Sequence, residues 1–90
     1  MKLTINENVI VDDFADYTII TKIKDSEIDF SKATILEDTA KFIFKLIQKD
    51  KTFDEIVNVI TNEYGIPEQV AKKDLEKFIS KLKEKGILND

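Results

Sequence analysis

Residues 33–47 read Ala-Thr-Ile-Leu-Glu-Asp-Thr-Ala-Lys-Phe-Ile-Phe-Lys-Leu-Ile. The stretch opens as a short β-prone run, Ala33 to Leu36. It turns through the acidic pair Glu37-Asp38 and continues as an apolar-rich helix. Upstream of it the chain reads as strand, and downstream it reads as helix. A strand feeding directly into a helix joins the two layers of a small domain, so the fold class expected is α+β.

Upstream, Tyr17 to Ile23 alternates, with Tyr17, Ile19, Thr21 and Ile23 on one side and Thr18, Ile20 and Lys22 on the other. Val9-Ile10-Val11 followed by Asp12-Asp13-Phe14 reads as the strand before it, and Ala15-Asp16 as the tight turn of an antiparallel hairpin. Met1 to Asn8 alternates only weakly and is expected to be a frayed lead-in. Lys24 to Lys32 is polar and reads as a loop pinned by Ile28 and Phe30. Ala33 to Leu36 is then a short third strand at the edge of the sheet. Edges are ordinarily protected by charge or proline, and this run carries neither.

Downstream, three helices are expected. The first runs from Asp38 to Lys49 with Phe42, Ile43, Leu46 and Ile47 as its buried stripe, and with Glu37 or Asp38 meeting its free amides. Thr52-Phe53-Asp54-Glu55 has the form of a capping box and starts a second helix through Tyr64, with Ile56, Val57, Val59 and Ile60 inward. Gly65 ends it where a left-handed residue is easiest. Pro67 suits the start of the third helix, which runs to Lys85 with Ala71, Leu75, Phe78, Ile79 and Leu82 facing the core. Gly86 closes that helix, and Ile87-Leu88 fold back as a staple. Phe42, Phe44, Phe53 and Phe78 are assigned to the core, Phe44 lying off the main stripe of its helix. A three-stranded antiparallel sheet followed by three helices, the last two joined by a turn, is a winged helix-turn-helix.

The composition narrows the chemistry. Ninety residues are expected to form one domain with a single modest core. Without Cys or His, thiol nucleophiles, disulfides, imidazole bases and the usual zinc ligands are excluded. No constellation gathers the remaining carboxylates, lysines and hydroxyls, so an enzyme is not expected and no cofactor is implied. Asp12-Asp13 and Asp25/Glu27 lack the glycine-punctuated spacing of a calcium loop and read as solubilising turn charges. No apolar run is long enough to cross a membrane, and a soluble cytoplasmic protein is expected. The net charge is −4, and all 14 basic residues are lysines. In the third helix Lys72, Lys73, Lys77, Lys81, Lys83 and Lys85 interleave with Glu68, Asp74, Glu76 and Glu84, the pattern of a solvated face for most of them, with a basic flank at Lys77 or Lys81 that meets acidic residues of a partner as the alternative.

One family resemblance rests on these residues. Leu36-Glu37-Asp38-Thr39-Ala40 before Phe42-Ile43-Phe44-Lys45-Leu46-Ile47, then Thr52 with Glu55-Ile56-Val57, resembles the PqqD-like proteins, also called RiPP recognition elements or peptide-modification chaperones. Glu63-Tyr64-Gly65-Ile66, the Asp74-Leu75, Phe78-Ile79 and Leu82 spacing, and Gly86-Ile87-Leu88 continue it, so that it covers Val9 to Leu88. Two departures stand out: such proteins often carry Asn at the position of Glu37 and Gly near Ala40.

The resemblance implies one leader-peptide-binding domain over residues 1–90, active in binding rather than catalysis. The leader of a ribosomally made precursor would add as a strand to the third strand, in the groove beside the third helix, and be presented to a maturation enzyme of the radical-SAM or leader-peptidase type. Carried onto this chain, the peptide-binding residues are Ala33, Thr34, Ile35 and Leu36 of the strand, with Val70, Lys73, Asp74, Lys77, Phe78 and Lys81 of the helix. The same edge allows a homodimer. The alternative is a winged-helix DNA-binding regulator reading with the third helix. It is disfavoured by the acidic total and by the absence of arginine for base readout, so no nucleic acid or membrane partner is expected.

Overall fold

The computed structural model describes residues 3–89, apart from the side chains of Phe30 and Lys32. The expectations that touch Met1, Lys2 and the Phe30 anchor therefore lie outside the described residues. Three strands, β1 (Val9–Asp13), β2 (Tyr17–Lys24) and β3 (Glu27–Glu37), precede three helices, α1 (Asp38–Gln48), α2 (Phe53–Tyr64) and α3 (Glu68–Glu84). The sheet is antiparallel in the order β1-β2-β3, so β1 and β3 are its two edges.

The first hairpin forms as its sequence predicts, with Phe14 N–H donating to the Tyr17 carbonyl across Ala15-Asp16 at 2.8 Å. The second differs from the expected loop. Asp25 and Ser26 take left-handed φ values of 54° and 66° and make a two-residue turn between the paired Lys24 and Glu27. A short polar side chain tolerates that conformation, which is why no glycine marks the turn. β3 therefore begins at Glu27 and is 11 residues long, not the four of Ala33–Leu36. It is also irregular. Ile20 pairs with Thr34 but Lys22 pairs with Asp29, so Phe30 to Ala33 stand opposite Thr21 alone. A bulge of this kind bends a strand and re-aims its side chains.

The lead-in is likewise held. Ile5 bridges Leu88, Asn6 N–H donates to the Ile87 carbonyl at 2.8 Å, and Asn89 N–H donates to the Thr4 carbonyl at 2.9 Å. Leu3 is buried in the core. The partner that the local pattern could not reveal is the chain's other end.

The helix boundaries follow their signals. Thr52 Oγ1 accepts from Glu55 N–H while the Glu55 carboxylate accepts from Thr52 N–H, the reciprocal capping box. The hydrogen bonds from the Thr52 backbone and side chain hold the Glu55 carboxyl below its ordinary range. Past α3, Gly86 at φ 73° donates to the Lys83 carbonyl and Ile87 to the Leu82 carbonyl, a Schellman ending. α1 ends by the same pattern, Asp50 N–H to Ile47 and Lys51 N–H to Leu46, but with Asp50 rather than glycine in the left-handed position at φ 61°. Its start departs from expectation: Glu37 makes no side-chain cap and Asp38 sits at φ 50°.

The core lies between the inner face of the sheet and the helices. Ile20 and Leu36 from the sheet, Ile43, Phe44 and Ile47 from α1, Ile56, Val57 and Ile60 from α2, and Ala71, Leu75, Ile79 and Leu82 from α3 are all buried. α1 is rotated from the expected stripe. Phe44 is fully buried, whereas Phe42 is half-buried and lies edge-on to Tyr64 with ring centroids 5.9 Å apart. Contact with both the sheet and α2 widens the face that α1 must bury, and Phe44 supplies the added side.

Candidate functional site

The two edges of the sheet are built differently. At the end of β1, Asp13 Oδ1 accepts a hydrogen bond from Thr18 Oγ1 at 2.8 Å and another from the Lys41 ammonium. Lys45 Nζ stands 3.4 Å from the other carboxylate oxygen. The Lys41 hydrogen bond, then the Thr18 one, lower the Asp13 carboxyl from 3.8 to about 2. This edge is short, acidic and fastened to α1.

β3 presents the opposite case. Of the expected strand residues, Ala33 is exposed, Thr34 half-buried, and Ile35 59% exposed, more than any other large apolar residue of the described chain. Leu36 corrects the expectation in part: its side chain is 6% exposed and belongs to the core, leaving only its backbone at the edge. Alternation explains the split. Thr34 and Leu36 point inward with their partners Ile20 and Thr18, while Ile35 points outward beside Ile19. No further strand of the described chain pairs with the outer side of β3.

α3 packs on α2, and its backbone packing against β3 is sparse. Between them lies a cleft lined by Lys22, Ser31, Ala33, Thr34, Glu84 and Lys85, which joins the bulged part of β3 to the end of α3. At about 100° per residue, Asp74, Lys77, Lys81 and Val70 fall on one flank of the buried Ala71–Leu82 stripe, the flank that Lys85 continues. Phe78 lies at its inner margin, half-buried against the core. Val70 is 45% exposed, and Asp74, Lys77 and Lys81 are exposed. Lys73 is also exposed but lies further round the helix. The helix half of the expected site thus shares one flank, with Lys73 at its outer limit.

Ser31, Lys22 and Lys85 line this cleft and were not among the residues expected from sequence. Lys85 had a signal, standing four residues beyond Lys81. Lys22 had one too, sharing a side of β2 with the buried Thr18 and Ile20, whereas Ser31 had none, because it lies in the irregular part of β3.

Chemically the site offers backbone amides and carbonyls along an edge, apolar surface at Ile35, Val70 and Phe78, and ammonium groups. No group of three or more metal-ligating side chains occurs among the described residues. No described helix is long and apolar enough to cross a membrane.

Comparison with known proteins agrees with this architecture. A PqqA binding protein of Gluconobacter oxydans (strain 621H) is 31% identical over 58 residues, 64% of this chain and 60% of that protein, so the chain matches less than two thirds of that relative's length. The structure of TbiB1 in complex with the TbiA(beta) leader peptide superposes with a TM-score of 0.84 over 96% of this chain and 94% of that one. At 22% identity that likeness is one of fold. The family profile of coenzyme PQQ synthesis protein D (PqqD) matches residues 25–88, from the second turn through all three helices to the closing Ile87-Leu88. On that match the chain belongs to the PqqD family.

Proposed function

We propose that this chain is a leader-peptide-binding domain: it captures the leader of a ribosomally synthesised precursor as an added strand on β3 and presents it to a separate maturation enzyme in the cytoplasm. The observation that carries the reading is the open outer side of β3, where Ile35 stands 59% exposed and α3 keeps its distance. Strand addition satisfies the free amides and carbonyls of such an edge and draws selectivity from side chains on either side of it. Family membership, the PqqA binding relative and the leader-bound neighbour of the same fold support it.

The binding surface in this reading comprises the backbone of Ala33 to Leu36, the outward side chain of Ile35, and the flank formed by Val70, Asp74, Lys77, Phe78 and Lys81, with Lys73 at its margin. The role is non-catalytic. Without peptide, the same edge can pair with a second copy of the chain, which makes a homodimer the resting alternative. A DNA-reading role for α3 finds less support, because Asp74, Glu76 and Glu84 are exposed among its lysines.

An amide-shift titration by NMR tests the proposal, using the leader of a precursor encoded near this chain. Shifts concentrated at Ala33–Leu36 and on the Val70–Lys81 flank are expected. Salt-sensitive shifts on α3 with duplex DNA, and none with the leader, would sink it.

A further inference from the structure

We infer that the ligand strand is acidic at alternate positions, with its carboxylates facing α3 and apolar residues between them; this rests on the strand-addition reading and names the class of peptide that fits. Three observations lead there. The first is a lysine row. Lys77, Lys81 and Lys85 recur at four-residue intervals along one flank of α3, and Lys85 lines the cleft at the end of that row. Lys22 joins them from β2 on the cleft wall. The carboxylates on that flank of α3 are Asp74 and Glu84, and Asp29 of β3 stands opposite Lys22 in the sheet. A chain with a net charge of −4 therefore places a local cationic excess along its open groove.

The second observation is that these lysines are uncommitted. Among the described residues, the salt bridges are Lys41 and Lys45 to Asp13 and Lys72 to Glu68 at 3.3 Å. The Lys72 pair lies on the opposite flank of α3. Lysines near a helix C-terminus gain from its dipole whatever they face. That accounts for Lys81, Lys83 and Lys85 as a group, and for Lys22, whose ammonium lies against Gly86 just past the end of α3, but not for Lys77, about two turns back from that end.

The third is a match of pitch. Residues four apart on a helix are separated by about 6 Å along its axis. Residues two apart on a strand are separated by about 6.6 Å. A peptide strand that runs along α3 can therefore set successive residues of its helix-facing side against successive lysines of the row, each lysine turned about 40° from the last. Its other residues fall on the outer face, beside Ile35 and the half-buried Ile19. Apolar residues there extend an existing apolar surface, which is the usual basis of cross-strand stabilisation.

Three capped seven-residue peptides test this: one alternating glutamate and valine, one alternating glutamine and valine, and one alternating lysine and valine. Binding to the intact chain is followed by amide shifts at low and moderate salt. The glutamate peptide is expected to shift Thr34–Leu36 together with Lys77, Lys81 and Lys85. It should bind about tenfold more tightly than the glutamine peptide at low salt, with the margin shrinking as salt rises. Lys77→Glu with Lys81→Glu should reverse the order, so that the lysine peptide binds best. Both positions are exposed, and circular dichroism checks that the fold is kept. Equal affinity for the glutamate and glutamine peptides, with shifts still on β3, would overturn the acidic assignment and leave strand addition standing. Shifts on the lysines without any on β3 would overturn both. Silence with all three peptides would overturn the inference, since alternating acid and valine would then not suffice for capture.

Discussion

The two edges of the sheet differ in how they treat their free backbone. β1 is five residues long, ends in Asp12-Asp13, and is drawn to α1 by Lys41 and Lys45. β3 is more than twice as long, has no such fastening among the described residues beyond its bulge, and turns Ile35 out to solvent. Charge and shortness close an edge against pairing. β3 carries charge at Glu27, Asp29, Lys32 and Glu37, but its Ala33–Leu36 run carries none and leaves that length of the edge open. The contrast is what makes β3, rather than β1, the edge proposed to take an added strand.

The largest effect expected within this contrast separates neighbours on β3 itself. Leu36→Ala should lower stability by about 2–5 kcal/mol, because it empties part of the core. Ile35→Ala should change stability by no more than about 0.5 kcal/mol, yet weaken peptide binding. Urea denaturation measures the first and titration with a leader the second. A large stability loss at Ile35 would show that the outer face is already covered.

Gly86→Ala comes next. A β-carbon there meets both a left-handed φ of 73° and the Lys22 ammonium. A loss of about 1–2 kcal/mol is expected from the backbone alone. Asp50 occupies the corresponding place after α1, so Asp50→Gly should raise stability by up to about 1 kcal/mol. Thermal melts of the two variants should move in opposite directions.

The fastening of β1 should show itself in acid. Because the folded-state pKa of Asp13 is depressed, its contribution is fully present above its ordinary value of 3.8 and is lost as pH falls through about 2. Asp13→Asn should lower the melting temperature at neutral pH and flatten its dependence on pH in that acid window. If the variant opens the β1 edge as well, peptide-induced shifts will begin to appear at Val9–Asp13.

Much of this arrangement was legible in the sequence where a local signal has one physical meaning. Thr52 with Glu55, Gly65 and Gly86 marked helix ends because a capping hydroxyl and a left-handed glycine do little else there. The unprotected Ala33–Leu36 run marked the open edge for a similar reason. What stayed hidden depends on residues acting against type or on distant partners. Asp25-Ser26 and Asp50 hold left-handed turns without glycine. Ile5 finds its partner at Leu88, and Phe44 is buried by a rotation of α1 that only the assembled layers determine. In the site, the α3 flank follows from helical spacing and the side of Lys22 from alternation along β2, but the arrival of Ser31 beside Lys85 follows from the bulge in β3.

Hydrogen exchange at the amides of β3, with and without a bound leader, tests the central claim most directly. Without peptide, alternate amides from Ala33 to Glu37 should exchange quickly, since every second one faces away from β2. With peptide bound, those same amides should become protected while Val9–Asp13 is unchanged. Binding that leaves the β3 amides unprotected, or that protects β1 instead, would contradict strand addition at this edge.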